Sequence, residues 1–166
     1  VEKLVMGDPM EEGTQVGPLV SLKQAKEVEE QVSKSVEMGA KLLLGGERNG
    51  AFYKPTILSN VTPGMPVFDE EVFGPVFAVM EASSPEKVLE RSDKSKIGRG
   101  MQLFAAAEHS ATLFIQGAEE GAVFVNAIVK SDPRLPFGGT KMSGYGRELS
   151  EEGIKEFVNI KTIWID

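Results

Sequence analysis

The sequence has no cysteine, which excludes disulfides, thiolate metal sites and a thiol nucleophile drawn from this chain. Histidine is almost as scarce. With His109 alone, a two-histidine metal site cannot be built, and a serine–histidine–aspartate triad would have to centre on that one residue. No apolar run approaches the roughly 18 residues that a membrane-spanning helix needs. The opening VEKLVMGDPMEEG lacks the architecture of a secretory signal, so the expected compartment is the cytosol. Positive charge is outweighed too. Eighteen Lys and Arg against 25 Asp and Glu give a net charge of −7, which argues against nucleic acid or an anionic membrane as partner.

What is present describes one ordinary domain over residues 1–166, long enough to bury a core of its own. Hydrophobic residues make up 41% and charged ones 26%, the balance of a globular chain, and the 18 glycines cluster as they do in shaped loops. SLKQ at 21–24 fits a capping box, and Leu22, Ala25, Val28, Val32 and Val36 follow at helical spacing towards Gly39. KLLL at 41–44 reads as a short buried strand and GGERNG as the turn after it. YKPTILSNV is a further extended segment, whose Pro55 favours an edge or an irregular start. Val76 to Met80 is strand-like, Ser84-Pro85 opens a short helix, and GMQLFAA at 100–106 is extended. Ser110 is placed to cap a helix running to Glu120, with Gly117 weakening it by about 1 kcal/mol and Gly121 stopping it. AVFVN at 122–126 is the clearest buried strand, Ser150-Glu-Glu marks a last helix N-terminus, and NIKTIWID closes on a β-rich segment. Strands alternating with amphipathic helices give an α/β fold, a mostly parallel sheet with flanking helices.

Residues 134–149, RLPFGGTKMSGYGREL, hold four glycines and invite a phosphate-binding reading. The spacing refuses it. A P-loop needs lysine directly after its last glycine, but Gly139 precedes Thr140 and Gly144 precedes Tyr145. Gly144-Tyr145-Gly146 begins a dinucleotide fingerprint, yet Leu149 stands at its third glycine. Locally, the glycines are explained by positive φ and close packing.

Set beside Glu70-Glu71-Val72-Phe73-Gly74-Pro75-Val76, the same loop resembles the C-terminal part of the aldehyde dehydrogenase superfamily. GDPMEEGTQVGPLVS at 7–21, GGERNGAFYKPTILSNVTPGM at 45–65 and GAVFVN at 121–126 stand in that family's order and spacing. In the family a cysteine thiolate attacks an aldehyde, hydride passes to NAD or NADP, and a glutamate-activated water hydrolyses the thioester. The resemblance implies that Glu71 binds the nicotinamide ribose hydroxyls and that Phe73 lies beside the nicotinamide. It makes Glu148 a proton relay, a task suited to a carboxylate buried near another acid, and Phe137 a substrate-pocket aromatic. Ser131 stands where succinate-semialdehyde dehydrogenases place a serine on the substrate's distal carboxylate, with Lys130 and Arg134 near enough in sequence to add positive charge. Lys161 to Ile165, within a terminal strand at 159–165, matches the segment that extends a neighbouring subunit's sheet, which implies a homo-oligomer.

The resemblance covers about the last third of such an enzyme, without its dinucleotide-binding domain, catalytic cysteine or general-base glutamate. The chain alone is therefore expected to be inactive and to hold no cofactor tightly. A separate N-terminal polypeptide is a possible partner. Three positions depart from the family's pattern: Asp93 replaces an asparagine, and in Ile97-Gly98-Arg99, which stands for an aromatic-glycine-leucine, Ile97 and Arg99 differ. Arginine there is costly unless it reaches solvent or an acid. The alternatives are a non-catalytic domain that persists by self-association, and a small-anion or nucleotide module built on the glycine loop.

Overall fold

The computed structural model describes residues 1–106 and 111–166, so His109 and the expected cap Ser110 lie outside the described residues. It divides into two compact units, Val1–Glu81 and Ala82–Asp166. No helix among the described residues is long and apolar enough to cross a membrane.

In the first unit, Ser21 is extended and its hydroxyl accepts the Gln24 N–H at 3.1 Å, starting α1 (Leu22–Glu37). The reciprocal half of the capping box is not made among the described residues; the Gln24 side chain turns to the Phe73 carbonyl instead. Ala25, Val28 and Val32 are buried as their spacing predicts, but the ends of the stripe are not: Leu22 is 48% and Val36 37% exposed. Ser35 takes the inward position instead, donating to the Gln31 carbonyl at 2.7 Å and accepting from the Val67 N–H at 3.2 Å. A buried hydroxyl with both partners costs little. The chain then forms β1 (Lys41–Leu44), β2 (Arg48–Asn49), β3 (Phe52–Tyr53), β4 (Thr56–Ser59), α2 (Pro66–Asp69) and β5 (Val76–Ala78).

The strand order β1–β4–β5 corrects one expectation and decides between the two readings of Pro55. KLLL does form a strand, but as an edge strand it leaves Leu42 and Leu43 exposed. YKPTILSNV supplies the central strand, not an edge. Pro55 precedes β4, so its missing N–H falls outside the ladder, and Thr56 and Leu58 on one face of β4 are fully buried. Leu58 packs with Val28, Val32, Tyr53, Val61, Met65 and Val67, and burying one such side chain contributes about 2 kcal/mol.

The second unit contains α3 (Pro85–Asp93), β6 (Ile97–Gly98), β7 (Met101–Leu103), α4 (Thr112–Gly117), β8 (Val123–Val125), β9 (Thr140–Lys141) and α5 (Ser150–Lys155). Ser84 caps α3 by accepting the Lys87 N–H, with Pro85 in the first turn. The α4 helix ends at Gly117, short of Glu120. That glycine has a packing role: a Cβ there would come within 2.5 Å of Leu89 on α3. β8 is half-buried rather than buried. β7–β8 and β4–β5 are parallel, while β1–β4, β2–β3 and β6–β9 are antiparallel, so pairing among the described residues is mixed.

Ser150 begins α5, but it is not a cap. It lies inside the helix with φ 54°, and its hydroxyl donates to Glu152. Residues 159–166 form no strand, and Ile160, Ile163, Trp164 and Ile165 are exposed. A lone extended segment has no ladder to complete unless an edge is offered to it.

Candidate functional site

The loop at 70–76 leaves α2 through Glu70 and is held against α1. Gln24 donates its side-chain amide to the Phe73 carbonyl at 3.2 Å. Gln31 donates to the Glu70 carboxylate at 2.9 Å and more weakly to the Glu71 carbonyl at 3.5 Å. Between them, Val28 receives Gly74 so closely that a Cβ on the glycine would stand 2.9 Å from a valine methyl. Gln24, Val28 and Gln31 share one face of α1 by their spacing. The Pro75 carbonyl accepts the Thr56 N–H at 2.8 Å, tying the loop's end to the sheet. Backbone and glycine thus fix the loop while its side chains project.

Glu71 is exposed, and its carboxylate makes no hydrogen bond or ion pair among the described residues. Phe73 is 64% exposed. A free carboxylate two residues from an uncovered ring fits one end of a dinucleotide: a ribose diol to donate, and a flat heterocycle to lie on the phenyl face. The sequence pointed neither glutamine at this loop: Gln24 was noted only as the end of the capping box SLKQ, and Gln31 belonged to no motif.

The glycine-rich loop of the second unit is built differently. Phe137 and Glu148 face one another in an isolated antiparallel bridge, each N–H donating to the other's carbonyl at 2.8 Å. The Arg147 guanidinium turns inward to the Gly139 carbonyl at 3.0 Å and the Gly146 carbonyl at 2.7 Å. One of its nitrogens is thus used on the loop's own backbone, which weakens the phosphate-cradle reading further. Gly121 explains how tightly the loop packs, since a Cβ there would collide with the Gly138 carbonyl. Leu149 follows Glu148 at φ 64°, a conformation that bulky residues rarely adopt.

Phe137 is half-buried, but the Glu148 side chain is exposed, without the burial that suits a relay. Ser131 and Lys130 are exposed as well. Arg134 is closed on Asp132, Nε to Oδ1 at 2.9 Å and Nη2 to Oδ2 at 2.7 Å. That pairing holds the Asp132 carboxyl well below its usual range, and it spends the positive charge expected to face a substrate anion. Asp93 keeps the acceptor that an asparagine would offer, since its carboxylate accepts the Glu119 N–H at 3.3 Å. Arg99 does reach solvent, and its guanidinium carbon stands 5.7 Å from the centre of the Phe137 ring. The sequence marked Arg99 as a departure and gave no hint of this partner.

The aldehyde dehydrogenase family model matches residues 1–163, and the chain belongs to that family. It is 45% identical to the NAD(P)+ succinate semialdehyde dehydrogenase Sad of Escherichia coli strain K12, over 98% of this chain and 36% of that protein. To the NADP+ succinate-semialdehyde dehydrogenase of Mycobacterium leprae it is 42% identical, over 99% of this chain and 37% of that one. The fold superposes on succinic semialdehyde dehydrogenase from Streptococcus pyogenes, solved with NADP+, with a TM-score of 0.92 and 38% identity. That match covers 99% of this chain and 37% of the other. The chain therefore spans just over a third of the length of the relatives it matches.

Proposed function

We propose that this chain is the C-terminal third of an NAD(P)-dependent aldehyde dehydrogenase that oxidises succinate semialdehyde, or a similar carboxylated aldehyde, to the acid. Phe137 lines the aldehyde pocket, Ser131 bonds the distal carboxylate, and Glu148 passes protons at the pocket's edge. Glu71 would receive the ribose hydroxyls of the dinucleotide and Phe73 its nicotinamide, and the bound dinucleotide supplies the hydride acceptor. The thiol comes from outside this chain, which has no cysteine. Without that part, the chain alone turns over no aldehyde and binds the dinucleotide weakly.

The observation that supports this reading is the Phe137–Glu148 backbone bridge, which holds that aromatic and that acid opposite one another within one loop. A second reading, a non-catalytic domain that self-associates in the cytosol, draws on the exposed apolar residues from Phe157 to Ile165. In both readings, the segment at 159–165 adds to the sheet of a second copy.

The test mixes this chain with the separately expressed N-terminal two thirds of a curated relative and follows reduced dinucleotide formed from succinate semialdehyde. Turnover should appear only in the mixture and fall at least about tenfold with Glu71→Ala, the loss of one charge-assisted contact. Association without turnover would favour the non-catalytic domain.

A further inference from the structure

Arg99 is delivered to Phe137 from a fixed point. It follows Gly98, whose N–H donates to the Ser143 hydroxyl at 3.0 Å and whose carbonyl accepts from the Gly121 N–H at 3.2 Å and the Thr140 hydroxyl at 2.9 Å. Residue 98 is thus bonded to the glycine loop and to the approach to β8, and the next side chain emerges over the Phe137 ring. The 5.7 Å separation lies within the range of about 6 Å where a cation on an aromatic face is attracted.

Three basic groups of this loop already have partners: Arg134 on Asp132, Arg147 through one nitrogen on two carbonyls, and Lys141 on Glu119, while Lys130 just before the loop is exposed. Arg99 makes no hydrogen bond or ion pair among the described residues, and it is exposed. At 5.7 Å the ring attracts the charge without occupying its N–H groups, which stay available as the planar fork that a carboxylate accepts with two oxygens. Leucine, which the family's pattern places here, has no such capacity.

We propose that Arg99 is a specificity-determining residue: it receives the distal carboxylate of the aldehyde, and Phe137 fixes the plane of its guanidinium. This rests on the reading above, in which Phe137 faces substrate, and it supplies the cation that Arg134 does not.

The test uses a chimera that joins the N-terminal two thirds of a curated relative to this chain. Two aldehydes of equal length are compared, succinate semialdehyde and uncharged butanal. Arg99→Leu should raise KM for succinate semialdehyde about tenfold to hundredfold, the loss of one charge-assisted contact, and leave butanal unchanged. Arg99→Lys, which keeps the charge but not the fork, should fall between. Equal losses with both aldehydes would mean that Arg99 only supports the loop, and unchanged KM in both variants would also overturn the proposal. If the chimera oxidises neither aldehyde, the functional reading fails, and calorimetric binding of succinate to the chimera decides about Arg99. Affinity reduced at least tenfold by Arg99→Leu supports the site, and equal affinity refutes it.

Discussion

The loop at 70–76 lies on α1, a helix with its own cap and its own buried stripe, whereas the loop at 134–149 is made of segments that hold one another. In the first, three side chains of α1 do the fixing: Gln24 and Gln31 by hydrogen bonds, and Val28 by receiving Gly74. In the second, the contacts are made largely by the loop's own backbone, helped by side chains of the loop itself. Phe137 pairs with Glu148, Gly121 lies against the Gly138 carbonyl, and Arg147 closes on two carbonyls of its own loop. A loop held by side chains can lose its anchors one at a time. One held by mutual backbone contact has no part that moves alone, so a small insult should spread through it.

The largest expected effect is therefore at Gly121. In Gly121→Ala the new methyl meets the Gly138 carbonyl and lies 3.1 Å from the Arg99 carbonyl, and neither can rotate away. Overpacking against backbone should cost about 3 kcal/mol. Hydrogen exchange reads this locally: the Phe137 and Glu148 amides should lose protection while the amides of α1 keep theirs. Equal loss in both units would break the comparison.

Gly74→Ala is the matching change in the first unit, and it should be milder. The added carbon would stand 2.9 and 3.0 Å from the two methyls of Val28, a side chain that can turn or shift. A cost of about 1–2 kcal/mol in urea denaturation is expected. Shortening the obstacle should relieve it, so Gly74→Ala with Val28→Ala should cost clearly less than the two single changes added together. Strict additivity would show that Val28 is not what the glycine accommodates.

Much of this arrangement was legible in the sequence where one element decides its own structure. The cap at Ser21, the stripe Ala25–Val28–Val32 and the Ser84-Pro85 start all depend on neighbours within a turn or two, and all formed as their spacing predicts. What failed depends on distant partners. KLLL is apolar enough for a core strand, but only the strand order reveals that it lies at an edge. Gly117 reads as a weak helix residue until Leu89 of α3 is seen against it. For the site, motif resemblance singled out Glu71, Phe73, Phe137 and Glu148, and the bridge between the last two arises from the loop's own path. It could not show that Arg134 would be captured by Asp132, two residues away, nor that Arg99 would reach Phe137. Those are choices among competing partners for one charge, and residue type alone does not rank them.

The smallest expected effect lies at the glutamines. Gln24→Ala removes a bond of 3.2 Å to the Phe73 carbonyl at an exposed site, worth about 0.5–1 kcal/mol. Alanine also returns a few tenths of a kcal/mol as the better helix former, so global stability should hardly move. Gln24→Glu separates the two effects. It keeps the length and nearly the helix propensity of glutamine, but its carboxylate cannot donate to a carbonyl. If Gln24 serves as an anchor, exchange at the Gly74 and Val76 amides should accelerate in both variants while helix content stays constant, and Gln24→Glu should loosen the loop at least as much as Gln24→Ala. If the glutamate variant instead keeps full protection, the loop is fixed by Gly74 on Val28 and by the Pro75 carbonyl. The first loop would then resemble the second, held by close packing and backbone bonds.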